Sequence, residues 1–278
     1  MRFVWQFLAV FAVFAFGGMA VAAVQDNPWT TLGLGLLVSA IGVLIYGWVV
    51  RRTEKRPTTE VGRKGAVAST SWGTLIGIGL FVMVILNIAF LGGYHVHGMG
   101  SAPSAVGLVG FMAAAAVTEE LLFRGVVQRI LEERVGTWIS LAFTSVVSGA
   151  MHLLNPNASL WGAVVIALTA GTMLGAAYIA TRKLWLPIGI HFGWNFAASG
   201  IFSTEVSGNG TPQSILDAST SGPVLLSGGD FGPEASLYTL VFALVRTGVF
   251  LWIAHRRGHL VPRGRRVQQV EATATLPH

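Results

Sequence analysis

Apolar residues occupy most of the chain in eight long runs, and polar residues collect in the stretches between them. The runs are 3–24, 31–50, 72–92, 106–128, 137–154, 159–180, 185–203 and 236–254. A helix that crosses a bilayer needs roughly 20 mostly apolar residues. The pattern therefore predicts an all-α, polytopic membrane protein with about eight transmembrane helices.

Residues 1–254 are predicted to form a single transmembrane helical domain, and 255–278 a basic cytoplasmic tail that is disordered. The first run has a second interpretation, a cleaved signal peptide, because small residues lie near its end at 20–23. Its apolar stretch of about 22 residues is longer than the about 7–15 residues of a signal-peptide core. The length favours a retained helix.

Composition excludes several classes of protein. Hydrophobic types make up 53% of the 278 residues, charged types only 11%, and the mean hydropathy is +0.65. A soluble domain carries roughly 25% charged residues, so an ordinary soluble enzyme is excluded. The chain has no Cys, which excludes thiol catalysis and thiolate metal sites.

The distribution of charge indicates how the chain crosses the membrane. If the N-terminus is cytoplasmic, every Lys and Arg outside the apolar runs lies on the cytoplasmic side, as the positive-inside rule requires. We therefore expect a multi-pass protein of the plasma membrane that contacts the lipid bilayer. Both of its termini are expected to be cytoplasmic. The net charge of +6 is explained by this topology, so no nucleic-acid partner is expected. The Gly- and Ser-rich stretch 204–235 forms either a flexible flap or an outer cap.

Ionisable side chains inside spans are costly and mark functional sites. The ionisable and amide residues within the runs are Glu119, Glu120, Arg124, His152, His191, Arg246, Asn87 and Asn195. Glu120 and Arg124 are four apart on one helix face and are predicted to pair. Glu119 points about 100° away and has no such partner, which suits a general acid or base. The alternative is that both carboxylates only hold helices together.

Two further runs bring polar groups to the same region. If the fourth and fifth runs form a hairpin about Val135 and Gly136, Glu119 and His152 lie at one depth, since each is about 16 residues from the turn. His191 and Asn195 are four apart and share a face, where both can donate to an oxyanion. The alternatives are a wetted histidine at a helix end and a polar pair that packs two helices.

This set of groups fits water attack on a carbonyl, with a Glu that takes the proton and a His or Asn that stabilises the oxyanion. Glu119, His152 and His191 are also a sufficient ligand set for a divalent metal such as zinc, with water in the fourth position. Spacing alone leaves both a metal site and a metal-free mechanism without a cofactor open.

These motifs resemble the CAAX protease and bacteriocin-processing family of intramembrane endopeptidases over about residues 106–200. The family's pattern is E-E-x-x-x-R, F-x-x-x-H and H-x-x-x-N on successive helices, matched here by Glu119, Glu120, Arg124, His152, His191 and Asn195. The loop 228–234 also looks like a feature of bacterial members. The resemblance implies that helices at about 106–203 carry catalysis on a peptide or membrane-protein substrate.

The resemblance also implies roles for individual residues. Glu119 would activate water, His152 would position that water or bind a metal, and His191 with Asn195 would hold the oxyanion or complete the site. Glu120 and Arg124 would support them. The family is described both as metalloprotease and as glutamate protease. One departure is Ser148, which replaces the motif's Phe four residues before the His; it widens or wets the pocket.

Two other functions compete with an intramembrane peptidase. One is a catalytically silent membrane protein that binds or gives immunity to a peptide. The other is a proton-coupled transporter that uses Glu119 and His152 as a relay. A transporter predicts paired broken helices or a repeat, and the sequence shows neither.

Overall fold

The computed structural model describes residues 1–210 and 214–263. In this part of the chain the long helices are α1 (Arg2–Ala22), α2 (Pro28–Glu54), α3 (Ala66–Phe90), α4 (Ala102–Val135), α5 (Thr137–Leu154), α6 (Leu160–Thr181), α7 (Trp185–Asn195) and α8 (Leu237–Arg256). Two strands, β1 (Tyr94–Met99) and β2 (Leu216–Thr220), pair antiparallel. Shorter helical turns are Thr59–Val61, Val224–Ser227, Gly229–Phe231 and Pro233–Ala235.

The predicted fold class is confirmed, and each predicted span corresponds to a helix. Among the described residues, seven helices are long and apolar enough to cross a membrane. The exception is α7, which has 11 residues and continues as a π-helix over Phe196–Ile201. The small sheet was not predicted, because its strands lie in stretches without a long apolar run.

Three helices contain π-helical turns, in which the regular i to i−4 hydrogen bonding is interrupted. The turns are Leu121–Gln128 in α4, Ala167–Gly171 in α6 and Phe196–Ile201 after α7. Such turns occur most often at functional sites. All three lie on helices that carry the predicted site residues or face them.

Polar contacts join α1 to the rest of the bundle. Gln6 is fully buried and donates to Thr53 Oγ1 at 2.8 Å and to Glu54 Oε1 at 2.9 Å. Arg129 in α4 donates to Gln6 Oε1 at 2.7 Å. The first helix therefore satisfies polar groups of α2 and α4 as well as packing against them.

The start of the predicted tail contacts the helices. Arg257 donates to the Ala180 carbonyl at 3.0 Å, and the Val261 amide donates to Thr137 Oγ1 at 2.8 Å. Residues 264–278, the larger part of the predicted tail, lie outside the described residues. The division into one domain and a disordered tail therefore stays a prediction.

The described part of 204–236 forms a cap over one end of the bundle. Asn155 donates to the Ser207 carbonyl at 2.6 Å, and Trp161 donates to the Ala235 carbonyl at 2.8 Å. Phe231 is buried against Trp161 and Ile166. These contacts correspond to the predicted cap and not to a flap.

Glycines allow the cap to turn back on itself. Gly228 has φ +86°, and a Cβ there would overlap the carbonyl oxygen of Gly232, which has φ +99°. Glycine adopts such φ values without the steric cost that other residues meet. The turn places Pro233 and Glu234 against the bundle.

Helix α7 packs against α3 at backbone distance. A Cβ at Gly77 would overlap the Ile190 carbonyl oxygen and lie 2.6 Å from the Trp194 amide nitrogen, and a Cβ at Gly193 would overlap the Thr74 carbonyl oxygen. Small residues permit this close approach of helices in membranes. The position of α7 is thus set by glycines on both helices.

Gly77→Ala is expected to lower the free energy of unfolding by about 1–3 kcal/mol, the usual cost of overpacking, because the two backbones must separate. Gly79→Ala is the matched control, since nothing lies within 4 Å of a Cβ at that position. Equilibrium unfolding of the two purified variants in detergent with increasing SDS measures the difference. Equal stability would contradict the described packing of α3 against α7.

Candidate active site

The four residues predicted to do the chemistry line one cavity. It has a volume of about 170 Å³ and lies between α4, α5, α6, α7 and the cap. Glu119 comes from α4, His152 from α5, and His191 and Asn195 from α7. The hairpin prediction that Glu119 and His152 lie at one depth agrees with their shared cavity.

Two of the other intramembrane polar residues, Asn87 and Arg246, lie away from this cavity. Asn87 donates to the Met83 carbonyl of its own helix at 2.8 Å. In the described chain, neither Asn87 nor Arg246 lines the cavity. A polar residue within a predicted span is therefore not always a residue of the cavity.

Glu120 and Arg124 form the predicted ion pair. Arg124 Nη1 donates to Glu120 Oε1 at 2.8 Å, and both side chains are almost fully buried. Arg124 Nη2 also donates to the carbonyl oxygens of Ala170 and Gly171 at 3.1 and 3.2 Å. These two acceptors belong to the π-helical turn of α6. The pair therefore connects α4 to α6 at the wall of the cavity, which Arg124 lines.

The same carboxylate oxygen orients a catalytic candidate. Glu120 Oε1 lies 3.0 Å from His191 Nδ1. The other ring nitrogen, Nε2, is 3.9 Å from Glu119 Oε2. Glu119 keeps a quarter of its side chain exposed, whereas Glu120 is fully buried. The contact between Glu120 and His191 was not predicted, because sequence spacing does not show which faces of two separate helices meet.

His152 is held by the backbone of its own helix. Its Nδ1 lies 2.8 Å from the Ser148 carbonyl oxygen, so that nitrogen carries the hydrogen. Ser148 also lines the cavity. The residue that departs from the family's motif is therefore part of the cavity wall, as its position predicted.

Glu234 was not predicted as a site residue, because it lies in the Gly- and Ser-rich stretch 204–235 outside the apolar runs. Glu234 is 3% exposed and lines the cavity. It accepts from Trp194 Nε1 at 2.6 Å and from Ser207 Oγ at 2.5 Å. The signal available in the sequence was the Gly-rich loop 228–234, which resembles a feature of bacterial members of the family.

The predicted metal ligands do not form a compact set. Across 1–210 and 214–263, no three His, Cys, Asp or Glu side chains are grouped closely enough to hold a metal ion. Nδ1 of His191 contacts Glu120 and Nδ1 of His152 contacts a carbonyl, so Nε2 is the nitrogen that each ring could offer to a metal. In the described residues, Glu119, His152 and His191 are therefore not already assembled as a three-ligand metal site.

Comparison with known proteins agrees with the motifs. Residues 100–197 match the family described as "Type II CAAX prenyl endopeptidase Rce1-like", and this range contains all six predicted site residues. The chain is also similar to "Putative membrane peptidase YdiL" of Bacillus subtilis (strain 168), with 23% identity over 209 residues, which cover 69% of this chain and 82% of that protein. No solved structure matches the chain. The predicted resemblance to the CAAX protease and bacteriocin-processing family is confirmed.

Glu120→Ala is expected to destabilise the fold by about 3–5 kcal/mol, because it leaves the buried Arg124 guanidinium without a counter-charge. Glu119→Ala is the matched comparison on the neighbouring residue, since among the described residues the nearest basic nitrogen to Glu119 is His191 Nε2 at 3.9 Å. It is expected to change stability by less than about 1 kcal/mol. Unfolding with SDS in detergent measures both variants, and a larger loss for Glu119→Ala would reverse the described roles.

Proposed function

Because the chain is a membrane protease similar to the CAAX prenyl endopeptidases, we propose that it hydrolyses a peptide bond with water activated by Glu119. The observation that carries the proposal is the convergence of Glu119 and His191 on one cavity, with the Glu120–Arg124 pair in contact with His191. The substrate is a peptide or membrane protein that reaches the site within the membrane.

The attacking water lies between Glu119 and His191. When the His191 Nδ1–H donates to Glu120, the neutral ring presents Nε2 as an acceptor. A water that donates one hydrogen to Glu119 and the other to Nε2 suits the 3.9 Å between these atoms. His152 approaches from α5 and confines the same water. The ring of His191 is thereby assigned to the water, a narrower role than the one the resemblance implies.

The reaction then proceeds in two steps. Glu119 takes a proton from the water as its oxygen bonds to the scissile carbonyl carbon, which leaves a tetrahedral oxyanion. Asn195, one turn beyond His191 on the same face, donates its amide hydrogen to that oxyanion. The C–N bond then breaks, and Glu119 returns the proton to the leaving amine nitrogen. Glu120 and Arg124 are positioning residues that hold His191.

The proposed orientation in the membrane is based on the distribution of basic residues. A single transmembrane domain over 1–254 in the plasma membrane, with both termini in the cytoplasm, accounts for the position of the basic residues. In this orientation the cap lies on the outer side of the membrane.

Glu119→Gln is expected to reduce peptide cleavage by about 10²–10⁴-fold, the usual contribution of a general base. Detergent-purified wild type and variant are incubated with a peptide library, and products are identified by mass spectrometry. Asp26→Asn is the control, because it removes a carboxylate that is exposed and away from the cavity. Equal cleavage by wild type and Glu119→Gln would refute the assignment of the base.

Asn195→Ala is expected to lower kcat by about 10²–10³-fold with little change in KM, because the lost hydrogen bond forms mainly in the transition state. Asn87→Ala removes an amide from another membrane helix and is expected to keep both constants. A peptide selected from the library serves as substrate for steady-state kinetics. A rise in KM at constant kcat would assign Asn195 to substrate binding instead.

A further inference from the structure

Glu234 is a buried acid that the reaction proposed above does not use. It lies at the end of the cap, immediately before α8, and is 3% exposed. Its side chain forms part of the wall of the cavity that holds Glu119 and His191. Acidic residues are almost never buried to this extent unless they are paired with another group. The contacts of Glu234 therefore show whether it has a charged partner.

The contacts of Glu234 supply hydrogen bonds but no charge. Trp194 Nε1 and Ser207 Oγ donate to its two oxygens at 2.6 and 2.5 Å, and both donors are neutral. Within the described residues, no Lys, Arg or His nitrogen lies within 4.0 Å of the carboxylate. Glu120, by contrast, has Arg124 at 2.8 Å. The two donors hold the carboxylate in place, and each oxygen retains a free lone pair.

The cavity as a whole lacks positive charge. Among the described residues, the only guanidinium that lines it belongs to Arg124, which is already paired with Glu120. Glu119 and Glu234 then remain as two carboxylates in a largely apolar wall. A buried charge is tolerated when a partner offsets its desolvation. The group that would complete this cavity is a cation brought by the substrate.

The position of Glu234 relates that cation to the scissile bond. Its donor Trp194 lies next to Asn195 and three residues from His191 on α7. One helical turn rises about 5.4 Å, which is close to the rise of one or two residues of an extended peptide. The cation therefore belongs to a residue near the bond that is cleaved.

We infer that Glu234 is a specificity-determining residue that binds a positively charged group of the substrate, either a Lys or Arg side chain or a free amino terminus, next to the scissile bond. The inference rests on the proposed peptidase function for the identity of the ligand. It does not require turnover, so binding is measured separately from cleavage.

Binding is tested in Glu119→Gln protein, in which cleavage is blocked. The probes are fluorescent hexapeptides of Ala and Leu with acetylated and amidated ends, carrying one Lys at each position in turn, and a matched set with norleucine. At one position or at adjacent positions, Lys is expected to bind about tenfold tighter than norleucine. A neutral peptide with a free amino end, compared with its acetylated copy, reports whether the terminus is the cation.

The preference is expected to fall below about twofold when Glu234→Gln is added. Glu205→Gln is the matched control in the same cap, because Glu205 does not line the cavity, and it is expected to preserve the preference. A Lys preference that survives Glu234→Gln, equal binding of all peptides, or no binding of any would overturn the inference.

A second measurement needs no variant of Glu234. Library digestion by wild-type protein is expected to give cleavage sites with Lys, Arg or a free amino end enriched at one position. Cleavage without that enrichment would overturn the role of Glu234 while leaving the peptidase intact. Absence of cleavage together with tenfold Lys selectivity in binding would instead refute the proposed reaction and retain the cation site.

Discussion

The buried ion pair between Glu120 and Arg124 is the constraint around which the site is arranged. Two opposite charges inside an apolar bundle are costly to separate, so the helices that contact them are fixed relative to one another. One oxygen of Glu120 accepts from Arg124 and from His191, and Arg124 also binds two carbonyls of α6. A single carboxylate in α4 thereby orients a side chain of α7 and anchors α6. Both ends of this contact lie in π-helical turns. Arg124 belongs to the turn in α4, and the carbonyls of Ala170 and Gly171 belong to the turn in α6.

Two consecutive glutamates can serve different purposes because successive helical residues point about 100° apart. Glu120 faces the protein interior and is fully buried, whereas Glu119 faces the cavity. The buried carboxylate is neutralised by its guanidinium, and in the described part of the chain the cavity carboxylate has no cation within hydrogen-bond distance. Glycine packing of α7 on α3 completes this arrangement, since it fixes the helix that carries His191 and Asn195.

The sequence predicted the membrane helices and which polar side chains would lie close together, but not the contacts between those side chains. Apolar runs of about 20 residues have one stable structure in a bilayer, and the spacing of Glu120 and Arg124 determines their pairing. The contact between Glu120 and His191 depends instead on the rotation of two separate helices, because the two residues are 71 positions apart in the sequence. The burial of Glu234 depends on a Gly-rich cap whose composition resembles an exposed loop. The contacts of Phe231, Trp161 and Asn155 distinguish a packed cap from an exposed loop, and these contacts are visible only in the structure.

Ser148 illustrates how the site accommodates a departure from the family's pattern. The group that orients His152 is the Ser148 carbonyl oxygen, not its hydroxyl. A backbone carbonyl is supplied by every residue type, so the orientation of His152 does not depend on which side chain occupies position 148. The side chain itself lines the cavity, and exchange of a Phe ring for a hydroxymethyl group changes the space and polarity beside the imidazole. The main chain of Ser148 therefore orients His152, whereas its side chain shapes the cavity. A substitution at this position can change the cavity and leave the orientation of His152 unchanged.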